Sequence, residues 1–195
     1  MMSSRKGPGD KMAVLGFWTR LAFALIVALL AVPTAGRAAD GAVVTVTGLV
    51  DKVNRPPFDA FTDGFFAHYG VAFDKAHAFS GRDLARLGMR TIVLSYPNWS
   101  KPVTFRGPRL SAVLRAAGAR GHKISVQALD GYFAEFPWAF SENDKVILAI
   151  EVDGRPLDIG GRGPAWLVFP PALQAGEGKE DDAGLVWGAF HIKIE

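Results

Sequence analysis

The chain has 195 residues, of which 49% are hydrophobic, with 22 basic and 19 acidic side chains and no cysteine. Lacking cysteine, it has no disulfide, no thiolate metal site and no thiol catalysis. The formal charge of +3 is concentrated in residues 1–39, which hold five of the bases and one acid, so the remainder stands at −1 and offers no basic face for nucleic acid.

Arg5, Lys6, Lys11 and Arg20 precede an unbroken apolar run, LAFALIVALLAV, at 21–32. PTAGRAAD follows, with small residues and the helix-breaking Pro33. Charged, apolar and small-residue regions in that order describe a secretory signal. The run is shorter than the ~20 residues that span a bilayer; a retained membrane anchor is the alternative. Cleavage is expected near Ala38 or Ala39, leaving residues 40–195 as a single periplasmic domain with no membrane attachment. No Arg-Arg pair is present in the leader, so export is expected as an unfolded chain.

AVVTVTGLV at 42–50 sets Val44 and Val46 against Val43, Thr45 and Thr47, the period-2 pattern of a strand. Residues 54–79 carry seven large aromatics and two histidines without clean periodicity. A packed, irregular excursion is expected there, with one short helix around 59–68; its apolar content argues against disorder. SGRDLARLG at 80–88 reads as a short helix, with Ser80 as N-cap, Asp83 closing a capping box and Gly88 as the stop. MRTIVLSY is apolar at nearly every position and is expected to form a central strand. PNWSKPVTFRGP reads as a loop with an extended segment at 103–105. GPRLSAVLRAAG reads as a second helix, with Pro108 in its first turn and Leu110, Val113, Leu114 and Ala117 on one face.

HKISVQALDGY predicts a strand at about 124–129 and a turn at Asp130-Gly131, and FAEFPWAFSENDKV a loop or single helical turn. Residues 146–152 form the next strand; the Asp153-Gly154 turn folds RPLDI back as its hairpin partner. GGRGP at 160–164 is a tight turn into the strand AWLVFP, and lacks the following helix that a phosphate loop needs. Residues 171–184 are polar and glycine-rich, an exposed loop. LVWGAFHIKIE is the last strand, expected to carry Val186, Gly188, Phe190, Ile192 and Ile194 on one face. Strands dominate and helices are few and short, so the fold class is α+β.

His68, His77, His122 and His191 lie far apart and form no local metal-ligand spacing. No serine stands in a G-x-S-x-G elbow. Arg106 and Arg109 flank Gly107-Pro108 at a helix N-terminus, where free N–H groups and the helix dipole favour an anion such as phosphate or sulfate.

The order of these elements resembles the sulfite-oxidase-like molybdopterin-binding domain family. TIVLSYPNW with TFRGPRLSAVLRAAG is similar to that family's strand, Trp loop and G-x-x-L-x-x-x-L helix. ISVQALDGYFAEFP is similar to its A-x-D-G-Y strand and turn, and VILAIEVDGRPLDIGGRGPAWLVFP to its closing hairpin. The resemblance spans 42–195 and is clearest over 91–170. It implies a mixed, barrel-like β-sheet with a few short helices. It also implies a cysteine, four residues before the Trp, that binds molybdenum; here Ser95 precedes Trp99 at that spacing. Trp166 stands where the family has a basic residue in G-x-P-x-R-L, and the leader lacks the twin arginines of cofactor-loaded members.

These three departures imply that molybdopterin is possible by resemblance while the molybdenum centre is absent. The pocket would be lined by Ser95, Asn98, Trp99, Arg106, Arg109 and Tyr132. It would bind a small anionic or aromatic ligand, or serve a periplasmic protein partner. The alternative is an active molybdopterin-dependent oxidoreductase, its pterin held by phosphate contacts and its metal bound by Ser95 or by no side chain. A third reading is an accessory subunit that docks through the aromatic stretch 54–79.

Overall fold

The computed structural model describes residues 41–174 and 181–195. The expected leader and its expected cleavage point lie outside them. Among the described residues no helix is long and apolar enough to cross a membrane.

Among the described residues, three sheets and short helices make a mixed α+β fold. The largest sheet runs β2-β1-β12-β5-β6. Its strands are β1 (Ala42–Gly48), β2 (Ala76–Ser80), β5 (Lys123–Ala128), β6 (Phe133–Pro137) and β12 (Ala189–Ile194). Neighbours are antiparallel except β1 and β12, which run parallel. One face of this sheet enters the main core through Val44, Val46, Ile124, Val126, Ile192 and Ile194.

The other face explains the aromatic excursion. Phe66, Phe73 and Phe190 form a second buried cluster, with Phe58 and Tyr69 packed on it. That cluster buries Thr45, Thr47 and His191. Arg55 lies with its guanidinium 5.0 Å from the Phe66 centroid and 5.4 Å from that of Phe73. It donates to Thr45 Oγ1 at 2.9 Å and pairs with Asp63. The expected short helix is α1 (Gly64–His68). The end of the excursion, however, is the strand β2, which an alternation of only five residues left unread.

Helix α2 (Gly81–Arg86) has the expected capping box: the Ser80 hydroxyl accepts the Asp83 N–H and the Asp83 carboxylate accepts the Ser80 N–H. Gly88, at φ +89, ends the segment. The next sheet has the order β3-β4-β8-β9, with β3 (Met89–Leu94), β4 (Val103–Pro108), β8 (Glu151–Val152) and β9 (Arg155–Pro156). Strand β3 is therefore an edge, not the expected central strand. Arg90, Thr91 and Val93 face solvent, so apolar composition did not translate into burial. Strand β4 is longer than expected and takes in Pro108. Helix α3 (Leu110–Ala116) begins after it, with Arg109 at the N-cap position and no side-chain cap. Its predicted face, Leu110, Val113, Leu114 and Ala117, is buried.

The stretch expected as a loop or single turn opens instead as strand β6, paired along β5, and only α4 (Trp138–Ser141) is the helical turn. The expected strand 146–152 divides into β7 (Ile147–Ala149) and β8, which belong to different sheets. Ile150 N–H donates to Arg106 O at 2.9 Å at the break. Asp153 and Gly154, at φ +46 and +76, form the β8–β9 turn, a primed hairpin geometry. The third sheet is β11-β10-β7, with β10 (Trp166–Val168) and β11 (Val186–Trp187). Gly188, at φ +65, separates β11 from β12. Register shifts between Ala189 and His191. Phe190 consequently packs in the aromatic cluster while Ile192 and Ile194 enter the main core, which corrects the single face expected for the last strand.

Candidate functional site

The loop after β3 turns sharply: Trp99 N–H donates to Tyr96 O at 2.9 Å. Tyr96 is buried and its hydroxyl donates to Phe169 O at 2.6 Å, which anchors the loop to the segment after β10. Trp99 then packs on Tyr96 (4.9 Å between centroids), Phe105 (5.8 Å) and Trp166 (6.4 Å). Its indole N–H is left to find a polar partner, and Asp182 supplies it at 2.8 Å. The other oxygen of Asp182 accepts Asn98 Nδ2 at 2.6 Å. Partial burial alone would raise the Asp182 carboxyl. The Trp99 and Asn98 donors, its own backbone N–H and the nearby Arg162 charge outweigh that and hold it below the usual carboxylate range.

Tyr132 reaches the same strip of chain from the turn after β5. Its hydroxyl donates to Ala183 O at 2.7 Å, and its N–H donates to Asp130 Oδ1 at 3.0 Å. Burial raises its phenol above the ordinary value. Residues 182–183 are thus tied down from two sides. A cleft of about 690 Å³ opens along Asn98, Trp99, Lys101, Arg155 and Arg162. A second, of about 400 Å³, opens along Tyr132, Arg162, Asp182 and Trp187. Trp166 and Arg162 line both.

The GGRGP turn positions Arg162. Gly163 N–H bonds Asp158 O at 3.0 Å, and a Cβ on Gly163 would lie 2.5 Å from Asp158 backbone atoms, so the turn closes only around glycine. Arg162 at its tip holds its guanidinium 4.7 Å from the centroid of the Trp166 ring. Trp166 is 5% exposed, and its Nε1–H has no hydrogen-bond partner among the described residues.

Of the six residues expected to line a pocket, Asn98, Trp99 and Tyr132 converge on residues 182–183. Ser95 is exposed just past β3 and lines neither cleft. Arg106 and Arg109 also line neither cleft. Arg106 makes two bonds to Glu151, at 3.0 and 3.1 Å, and Arg109 pairs with Asp144. Sequence reasoning missed Asp182, Arg162 and Trp187. The turn GGRGP and the polar loop 171–184 gave no sign that distant chain would meet them. His191 is a packed imidazole, 2% exposed. Among the described residues no group of three or more His, Asp or Glu could hold a metal.

The donor set does not fit a protein-ligated molybdenum. The chain has no thiolate. Ser95, at the spacing of the missing cysteine, makes no hydrogen bond among the described residues that would help remove its proton.

A family model described as oxidoreductase molybdopterin binding domain matches residues 39–179. Among solved structures, the sulfane dehydrogenase SoxCD from Paracoccus pantotrophus is similar at 19% identity and a TM-score of 0.52, over 80% of this chain and 38% of that one. This chain therefore spans well under half the length of its structural neighbour, and the likeness is one of fold. No curated protein matches the chain in sequence.

Proposed function

The chain belongs to the oxidoreductase molybdopterin-binding domain family, and from that premise we propose that it is an exported member that binds a small anionic ligand in the paired clefts and holds no molybdenum redox centre. The observation that carries this reading is the pairing of a family match over residues 39–179 with a chain that has no thiol. The place of a metal ligand is taken by an exposed serine, while Arg162 presents a fixed positive charge at the junction of two clefts. Trp99, Asn98 and Tyr132 orient the walls through Asp182 and Ala183.

Elemental analysis of protein purified from the periplasm of a cofactor-replete host tests the metal part. Sub-stoichiometric molybdenum supports the reading; one molybdenum per chain overturns it in favour of an active molybdopterin-dependent oxidoreductase. Thermal shift with sulfate, phosphate, carboxylates and free pterin tests the ligand part, and no shift with any of them overturns it.

A second reading, docking on a periplasmic protein partner, is favoured by Phe61 and Phe65, 95% and 59% exposed at the start of the aromatic excursion. Crosslinking in periplasmic extract, compared between the protein and Phe61→Ser, tests it; identical crosslinks argue against docking there.

A further inference from the structure

The two side-chain donors at the junction of the clefts have no acceptor among the described residues. The Arg162 guanidinium makes no hydrogen bond or ion pair among the described residues, although those of Arg106 and Arg109 both do, and its charge reaches the Asp182 carboxylate only at longer range. Its guanidinium is nevertheless fixed in place, over the indole of Trp166. Beneath it the Trp166 N–H is buried and, among the described residues, unpaired. A buried orphan donor is costly, and so is rare in a native fold unless something completes it. The smaller cleft adds two rings that water reaches, Tyr132 at 44% and Trp187 at 40% exposure.

We propose that Arg162 and the Trp166 N–H are the anion-binding donors of this cleft, and that its ligand is a flat aromatic monocarboxylate. This rests on the reading that the clefts bind an anion, and adds the contact residues and the ligand class. One carboxylate oxygen sits on the Arg162 guanidinium and the other completes the Trp166 N–H after a small movement of the ring. The aromatic body lies along Trp187 and Tyr132, where flat rings stack. At about 400 Å³ the cleft holds a single substituted ring.

Charge selects against dianions. Asp130 and Asp182 also line the cleft, and their oxygens already accept the Tyr132, Trp99 and Asn98 donors. One free guanidinium facing two carboxylates favours a ligand with one negative charge over sulfate or phosphate.

The test is titration of the purified protein with benzoate, cyclohexanecarboxylate and sulfate, followed by calorimetry. Benzoate is expected to bind, and Arg162→Gln to weaken it at least about tenfold, the loss of one charge-assisted contact. Trp187→Leu is expected to weaken benzoate by about fivefold and leave cyclohexanecarboxylate nearly unchanged, since a stacked aromatic pair is worth about 1 kcal/mol. Both substitutions are at exposed positions, and melting curves confirm that the variants fold. Unchanged benzoate affinity in Arg162→Gln overturns the contact assignment. Sulfate binding as tightly as benzoate overturns the ligand class. A response to sulfate without one to benzoate removes this inference but leaves the anion pocket standing; no response to any of the three removes both.

Discussion

The carboxylate of Asp182 accepts the indole N–H of Trp99 at 2.8 Å, joining residues 83 positions apart. The same carboxylate takes Asn98 at 2.6 Å, so one side chain fixes the loop after β3 against the approach to β11. Asp182→Ala is expected to lower stability by about 1 kcal/mol at pH 7, the low end for a charge-assisted pair because the site is partly wet. Urea unfolding measures it. The Asp182 carboxyl lies below its ordinary pKa, so its contribution is complete above that range and fades as pH falls through the lowered value. A variant as stable as the parent at pH 7 and at pH 3 would show that the contact holds nothing.

His191 carries a second pH dependence of larger size. Burial, followed by the nearby Lys193 and Arg55 charges, pushes its imidazole down from 6.5 to about 4. Thr47 Oγ1 lies 2.8 Å from Nε2 and Gln127 Oε1 3.3 Å from Nδ1, and neither brings a compensating negative charge. Between pH 6.5 and about 4 the unfolded chain takes up a proton that the folded chain refuses. Stability therefore falls as pH falls, by about 2 kcal/mol at pH 5 relative to pH 7. Urea midpoints at the two pH values, compared with His191→Gln, isolate this component; equal slopes in both proteins would assign the acid sensitivity elsewhere.

Gly107 is where β4 meets β7. A Cβ there would lie 2.1 Å from Leu148 O and 2.6 Å from Ala149 Cα, and both are backbone atoms that cannot swing away. Gly107→Ala is expected to cost about 3 kcal/mol, the upper end for overpacking a core. Thermal melting checks it, and a loss below about 0.5 kcal/mol, the ordinary range for surface changes, would mean that the two sheets slide apart freely.

Ser95→Cys places a single thiol in a chain that otherwise has none. Because residue 95 is exposed, the folded variant is expected to react with a disulfide reagent within about tenfold of a free thiol. Molybdenum content of protein from a replete host is expected to stay sub-stoichiometric, because the residue lines neither cleft. Slow labelling, or a rise to one molybdenum per chain, would place residue 95 at a metal pocket after all.

Local chemistry carried much of the fold by itself. The Ser80–Asp83 capping box, the apolar stripe of α3 and the Asp153-Gly154 hairpin each depend on residues a few positions apart, so spacing alone specifies them. The pattern of elements was also enough to show the family. Which strand is central was not legible. MRTIVLSY has the composition of a buried strand, yet β3 lies at an edge because burial depends on what covers a face. The candidate site divides in the same way. Asn98, Trp99 and Tyr132 lie in the Trp loop and the D-G-Y turn that the family resemblance singles out, but their meeting point is Asp182 and Ala183, at the far end of the chain. Arg106 and Arg109 looked free in sequence because Glu151 and Asp144 lie 45 and 35 residues away, and only folding brings these carboxylates close enough to pair with them. Sequence determined the residue types, the turns, the caps and the missing thiol. Tertiary structure decided which charges are cancelled and which stay free, because Coulomb and hydrogen-bond energies depend on distance through space.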